Sequence, residues 1–158
     1  MAGMADRRIK KIVIHCTATR EGQAHTAKDI DSWHRLRGWD GIGYHWVVQL
    51  DGTIEKGRDE ARPGSHVKGH NADSIGVVYV GGLAANGQTP KDTRAPEQKR
   101  ALKSLMITLQ AKYPGTSVLG HRDLSPDLDG DGVVERHEWL KDCPCFDVAA
   151  WLREEGLA

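Results

Sequence analysis

Residues 120–145 read GHRDLSPDLDGDGVVERHEWLKDCPC, and two metal chemistries of opposite character stand side by side in them. Asp127, Asp129, Asp131 and Glu138, with Gly132, form D-x-D-x-D-G-x5-E, the spacing of a calcium loop. In that register the three aspartates ligate at positions one, three and five. The Val133 carbonyl ligates at seven, Glu135 acts through water at nine, and Glu138 closes the site as a bidentate ligand. The competing reading is a solvated acidic turn. Pro126 and the residues just before it do not read as helix, so the segment 127–138 is half of an EF-hand inserted into a larger unit. Outside the loop stand His121 on one side and Lys141, Cys143 and Cys145 on the other. Imidazole and thiolate suit zinc, as hard carboxylates suit calcium. Folding the loop back on itself brings Cys143 toward His121, and a third soft ligand must then come from elsewhere.

His15 is the candidate. It ends IKKIVIH (residues 9–15), a β-branched, nearly continuous run of the kind that forms a buried central strand. A lone histidine there is commonly a satisfied core residue. His121, at the end of a short strand over residues 117–119, and Cys143 change the balance. Two imidazoles, one thiolate and an open fourth position make a catalytic rather than a structural zinc arrangement. Cys16, the next residue along, points to the opposite face and into the core.

Between these points the chain alternates strand and helix signals. Thr26 and Asp29 read as a capping box opening a helix whose inward stripe is Ile30, Trp33, Leu36 and Arg37, closed by Gly38. YHWVVQL (44–50) is a strand, Asp51-Gly52 a hairpin turn and residues 53–55 the returning strand. Residues 57–74 are loop, IGVVYV (75–80) is another buried strand, and 83–95 is a polar connector. Pro96 opens the longest helix, through Lys112, with Leu102, Leu105, Met106 and Leu109 as its stripe. Residues 147–155 form a terminal helix. The order β-α-β-β-β-α-β-(metal loop)-α predicts an α/β (α+β mixed) fold, one mixed sheet flanked by helices in a single domain over residues 1–158.

Composition removes several alternatives. Among 158 residues, Lys plus Arg and Asp plus Glu each total 22, so net charge gives no reason to expect nucleic acid as a partner. The apolar runs are short, so no membrane insertion is expected. MAGMADRRIKK, taken to be frayed through residue 8, has no apolar stretch behind it and reads as no Sec-type signal peptide. Three cysteines fit no disulfide framework. The expectation from composition is a monomer made in a reducing cytoplasm without a signal peptide, wherever it finally acts.

The chain resembles the bacteriophage-type zinc N-acetylmuramoyl-L-alanine amidases, which share a fold with peptidoglycan-recognition proteins. The matching pieces are IVIHCTAT, IDSWHRLRGWDGIGYHWVV, GSHVKGHNADSIGVVYVGG, GHRDLSP and KDCPCFD, in the family's order. The resemblance implies zinc ligands at His15, His121 and Cys143, and a catalytic pair at Tyr44 and Lys141. It places His66, His70 and Asn71 along a substrate groove. Two departures matter: the acidic loop is an insertion, and Cys145 stands where a small hydroxyl residue is common, offering a second thiolate. The implied activity is endolysin-like hydrolysis of the amide between N-acetylmuramic acid and the L-alanine of the stem peptide, by zinc-activated water. The rivals are a non-catalytic peptidoglycan-binding module and a calcium-dependent interaction module on the same fold. His34 and His45 read as packing residues, His25 and His137 as exposed, and Trp33, Trp39, Trp46 and Trp151 as core or interface aromatics.

Overall fold

Ile12, Val13 and Ile14 are all fully buried, and a strand covered on both faces dictates a sheet with helices on both sides. The structure, a computed structural model, describes residues 7–126, 128–131, 134, 136–139 and 141–158. Strand β1 (Lys11–Cys16) lies between β5 (Ser74–Tyr79) and β7 (Ser117–Gly120), parallel to both. Beyond β5 runs β3 (Trp46–Val48), also parallel, and β4 (Ile54–Lys56) returns antiparallel to close the mixed sheet β4-β3-β5-β1-β7. A second, two-stranded sheet pairs β2 (Thr19–Arg20) with β6 (Gly82–Leu83). The sequence reading has no strands there, because two residues carry no period to detect.

Three α-helices cover the main sheet among the described residues: α1 (Ala27–Leu36), α2 (Pro96–Lys112) and α3 (Val148–Glu154). Thr26 Oγ1 accepts from the Asp29 backbone N–H at 3.2 Å, and Asp29 Oδ2 accepts from that of Thr26 at 2.9 Å. This is the expected capping box. On one face Ile12, Ile14, Ile75, Val77 and Tyr79 pack with Leu102, Leu105, Met106 and Leu109 of α2 and with Val148, Trp151 and Leu152 of α3. On the other, Val47, Val78 and Val80 pack with Ile30 of α1 and with Ile42. The α1 stripe is narrower than expected: Ile30 and His34 are buried, while Leu36 is 87% exposed in the last turn. Alternation along β1 puts His15 on the α1 side, at the strand end where that cover runs out.

The N-terminal strap is anchored from Arg7, against the expectation of fraying through residue 8. Its guanidinium donates to the carbonyl oxygens of Glu60, Asn71, Ala72 and Ser74. The Glu60 carboxylate in turn accepts from Trp46 Nε1, Lys112 Nζ and Tyr113 Oη, tying the end of α2 to the sheet. Burial pushes the Glu60 carboxyl up, and the bonds from Lys112, Tyr113 and Trp46 more than offset it, leaving the group below its ordinary value. A depressed carboxyl stabilises the fold above its unfolded pKa, and that contribution fades as pH falls through the folded value. Thermal melts from neutral to acid pH should therefore show wild type losing more stability than Glu60→Gln. Parallel curves would remove Glu60 as a contributor.

Candidate metal centre and its cleft

Three side chains from three separate elements meet where β1 and β7 end. His15 ends β1, His121 follows β7 directly, and Cys143 lies on the turn before α3. One ligand atom from each lies within 4.8 Å of the other two. Cys143 Sγ is 3.9 Å from His15 Nδ1, and the His15 and His121 ring centroids are 4.7 Å apart. The Cys143 turn is held from several sides. The Arg122 backbone N–H donates to the Cys143 carbonyl at 2.9 Å, the Cys16 N–H points at Cys143 Sγ at 3.2 Å, and Tyr79 Oη donates to the Pro144 carbonyl. A Cβ on Gly120 would meet Pro144 Cδ at 2.8 Å, so glycine lets the turn close onto the strand end. Among the described residues, these contacts bring Cys143 to His121, a task the sequence reading gave to the acidic loop.

The electrostatics favour neutral imidazoles. Burial, followed by the charges of His66, His121 and Lys141, holds His15 well below its ordinary pKa. Burial and then Lys141 lower His121. Both rings therefore keep a lone pair for a cation at neutral pH, and with a thiol they form a soft donor set that fits zinc.

Above the three lies a cleft lined by Cys16–Ala18, Tyr44, His66, His121, Lys141 and Cys143, with Trp33, His34, Arg37 and Trp39 as one wall. The Tyr44 ring centroid is 5.1 Å from that of His15. Burial, then the Cys143 and Cys16 sulfurs, raise its phenol, so it stays a neutral hydrogen-bond donor. Lys141 is exposed and reaches both this cleft and the adjoining one over Val67 and Leu124. The structure thus collects all five residues expected at the metal and catalytic centre.

Other expectations move. His66 is buried and touches the cleft, but its ring bonds to His15 and Ser74. His70 and Asn71 do not line the cleft; Asn71 Oδ1 accepts the backbone N–H groups of His66 and Val67, both at 2.9 Å. Cys16 packs in the core as expected, and Cys145 turns toward it, Sγ to Sγ at 3.8 Å, and toward the Gly82 carbonyl at 3.3 Å. Cys145 is therefore aimed away from the histidines. His25 is half-buried against Trp33 rather than exposed, whereas His137 is exposed. His34 Nδ1 accepts from the Gly43 N–H at 2.8 Å, pinning that loop beside the site, and His45 Nδ1 accepts from the N–H of Gly76 in β5 at 2.9 Å.

Trp33, His34, Arg37 and Trp39 are cleft residues that sequence reasoning gave to packing, to the helix stripe or to a core or interface. Their common signal is position: they flank the C-terminus of α1 and the glycine after it, just before Tyr44. Of the calcium set, Asp127 and Val133 lie outside the described residues, as do Gly132 and Glu135 and the side chain of Glu138. Asp129 and Asp131 are exposed, and the Asp131 N–H donates to Asp129 Oδ1 at 3.2 Å.

This architecture is known. Drosophila PGRP-LB superposes with a TM-score of 0.70 at 23% identity, over 96% of this chain and 84% of its own, a likeness of fold alone. The N-acetylmuramoyl-L-alanine amidase LysC from Clostridium intestinale superposes with a TM-score of 0.71 at 30% identity, over 96% of this chain and 87% of its own. The endolysin of Klebsiella phage KP32 is 37% identical over 147 residues, 93% of this chain and 87% of that protein. The profile of the N-acetylmuramoyl-L-alanine amidases matches residues 5–144. The chain belongs to that family, a class of peptidoglycan hydrolases.

Proposed function

We propose that the protein is a zinc-dependent N-acetylmuramoyl-L-alanine amidase of the endolysin type. It cleaves the amide between N-acetylmuramic acid and L-alanine of the stem peptide, and it acts on the wall after release from the cytoplasm in which it is made. The observation that carries the reading is the meeting of His15, His121 and Cys143 at the floor of a cleft that also holds Tyr44 and Lys141. Zinc bound there supplies Lewis acidity, lowering the pKa of a water to about 7 and polarising a carbonyl. Lys141, an ammonium at the cleft mouth, stabilises negative charge that develops on the scissile carbonyl oxygen. Tyr44 donates its phenolic proton in a hydrogen bond that orients the water or holds the tetrahedral carbon's oxygen. Trp33 and Trp39 offer apolar surface to the glycan-peptide strand. Purified sacculi should release free alanine amino groups without new reducing sugar ends, and a zinc chelator should stop it. Reducing ends in place of amino groups, or none of either, would overturn the assignment.

The acidic loop is proposed to bind calcium through Asp127, Asp129, Asp131, the Val133 carbonyl and Glu138, on the strength of its spacing. A ligand at about 100 times its dissociation constant adds roughly 2.7 kcal/mol to the native state. Calcium should accordingly raise the melting temperature of wild type and leave that of Asp129→Ala/Asp131→Ala unmoved. An unchanged melt at millimolar calcium, with no binding heat on titration, would return the loop to a solvated turn.

A further inference from the structure

His66 sits in a slot made by absent side chains. A Cβ on Gly76 would come within 2.7 Å of its ring, and one on Gly64 would meet its Cδ2 at 2.6 Å. The ring thus held has a hydrogen-bond partner on each nitrogen. Nδ1 is 2.9 Å from His15 Nε2, and Nε2 is 3.0 Å from Ser74 Oγ. Both contacts are buried, so neither has water as an alternative.

The direction of each bond follows from the far end of the chain. Ser74 Oγ donates its one proton to the His70 carbonyl oxygen at 2.7 Å. Toward His66 the hydroxyl can therefore only accept, which places a proton on His66 Nε2. A neutral imidazole carries a single N–H, so Nδ1 of His66 is a bare lone pair. Its partner, His15 Nε2, must then be the donor. The lone pair of His15 falls on Nδ1, the nitrogen that faces Cys143. A carbonyl oxygen, which has no proton to give, thus sets the tautomers of two histidines in succession.

We propose that His66 and Ser74 are positioning residues for the metal centre, fixing His15 as the Nε2–H tautomer and aiming its Nδ1 at the cation. The proposal rests on the zinc reading of the site. A ring flip of His15 would break the buried bond and strand the Nδ1 of His66 without a donor, so the orientation is held before any metal arrives. The stretch GSHVKGHNADSIG (residues 64–76) then becomes one device. Gly64 and Gly76 make the slot, Asn71 pins the backbone of His66, and His66 and Ser74 carry the bonds.

Two measurements test it. In metal-free protein, long-range nitrogen–proton correlation spectra should show both His15 and His66 as Nε2–H tautomers, a result independent of zinc. An Nδ1–H form at either would overturn the relay. Zinc affinity by chelator competition should fall about 10- to 100-fold in His66→Leu. His66→Asn puts an amide oxygen where Nδ1 was and should stay within about threefold of wild type, and Ser74→Ala should fall between the two, by roughly three- to tenfold. Wild-type affinity in a folded His66→Leu, or equal losses in the Leu and Asn variants, would refute the role. Should His66→Leu fail to fold, Ser74→Ala at wild-type affinity would do so. If wild type itself binds no zinc, the proposed function fails, and the tautomers still decide whether the relay exists.

Discussion

Cys143→Ser is expected to lose its zinc and at least about a thousandfold in turnover on purified sacculi, roughly 4 kcal/mol of barrier. Cys145→Ser should keep both. The two thiols are separated by one proline, yet they face different surroundings. The Cys143 sulfur lies in the three-membered set with the histidines and receives the Cys16 backbone N–H, a donor suited to a thiolate. The Cys145 sulfur is spent on Cys16 and the Gly82 carbonyl. A serine hydroxyl at position 143 stays protonated at neutral pH and is a poor substitute for a thiolate ligand. Elemental analysis alongside turnover separates loss of metal from loss of chemistry. Full zinc content in Cys143→Ser, or its loss in Cys145→Ser, would reverse the assignment.

Lys141→Ala and Tyr44→Phe should each lower turnover by at least about tenfold, or roughly 1.4 kcal/mol. Their zinc content and melting temperature should stay near those of wild type. The reason lies in placement. Lys141 is exposed at the rim of the cleft, so its removal empties no core space. Tyr44→Phe keeps the ring packed against His15 and deletes only the hydroxyl. If the residues act in the transition state, kcat falls with kcat/KM, whereas uniform binding would appear mainly in KM. Near-wild-type turnover in both variants would remove them from the chemistry.

What was legible in the sequence follows physical rules that act over a few residues. The Thr26–Asp29 capping box, Pro96 at the start of α2 and the β-branched run of β1 each state their structure locally, and each is found as read. The candidate metal set was legible as a conjunction: each histidine or cysteine alone suits packing, and two imidazoles with one thiolate in the order of a known family suit an open zinc site. The sequence was silent where the deciding contact is long-range. The bond from His66 to His15 spans 51 residues, and only the fold distinguishes a buried relay from a groove wall. Trp33 and Trp39 failed for a related reason, because an aromatic suits a core and a cleft equally well. Leu36 has the right spacing for a stripe but lies in the last turn of α1, beyond the cover of the sheet.

The three metal-site residues also carry a consequence in time. His15 leaves the ribosome before Cys143, which lies 128 positions later. At about 5–20 residues per second, translation needs roughly 6 to 26 s to cover that distance. For most of it β1 already exists as sequence, but β7, which must pair with β1 to bring His121 into place, is not yet made. A nascent chain can thus hold one imidazole of the centre and none of its partners. On the proposed zinc reading, the enzyme gains its hydrolytic power only after Cys143 has been made and its turn has docked against the strand ends.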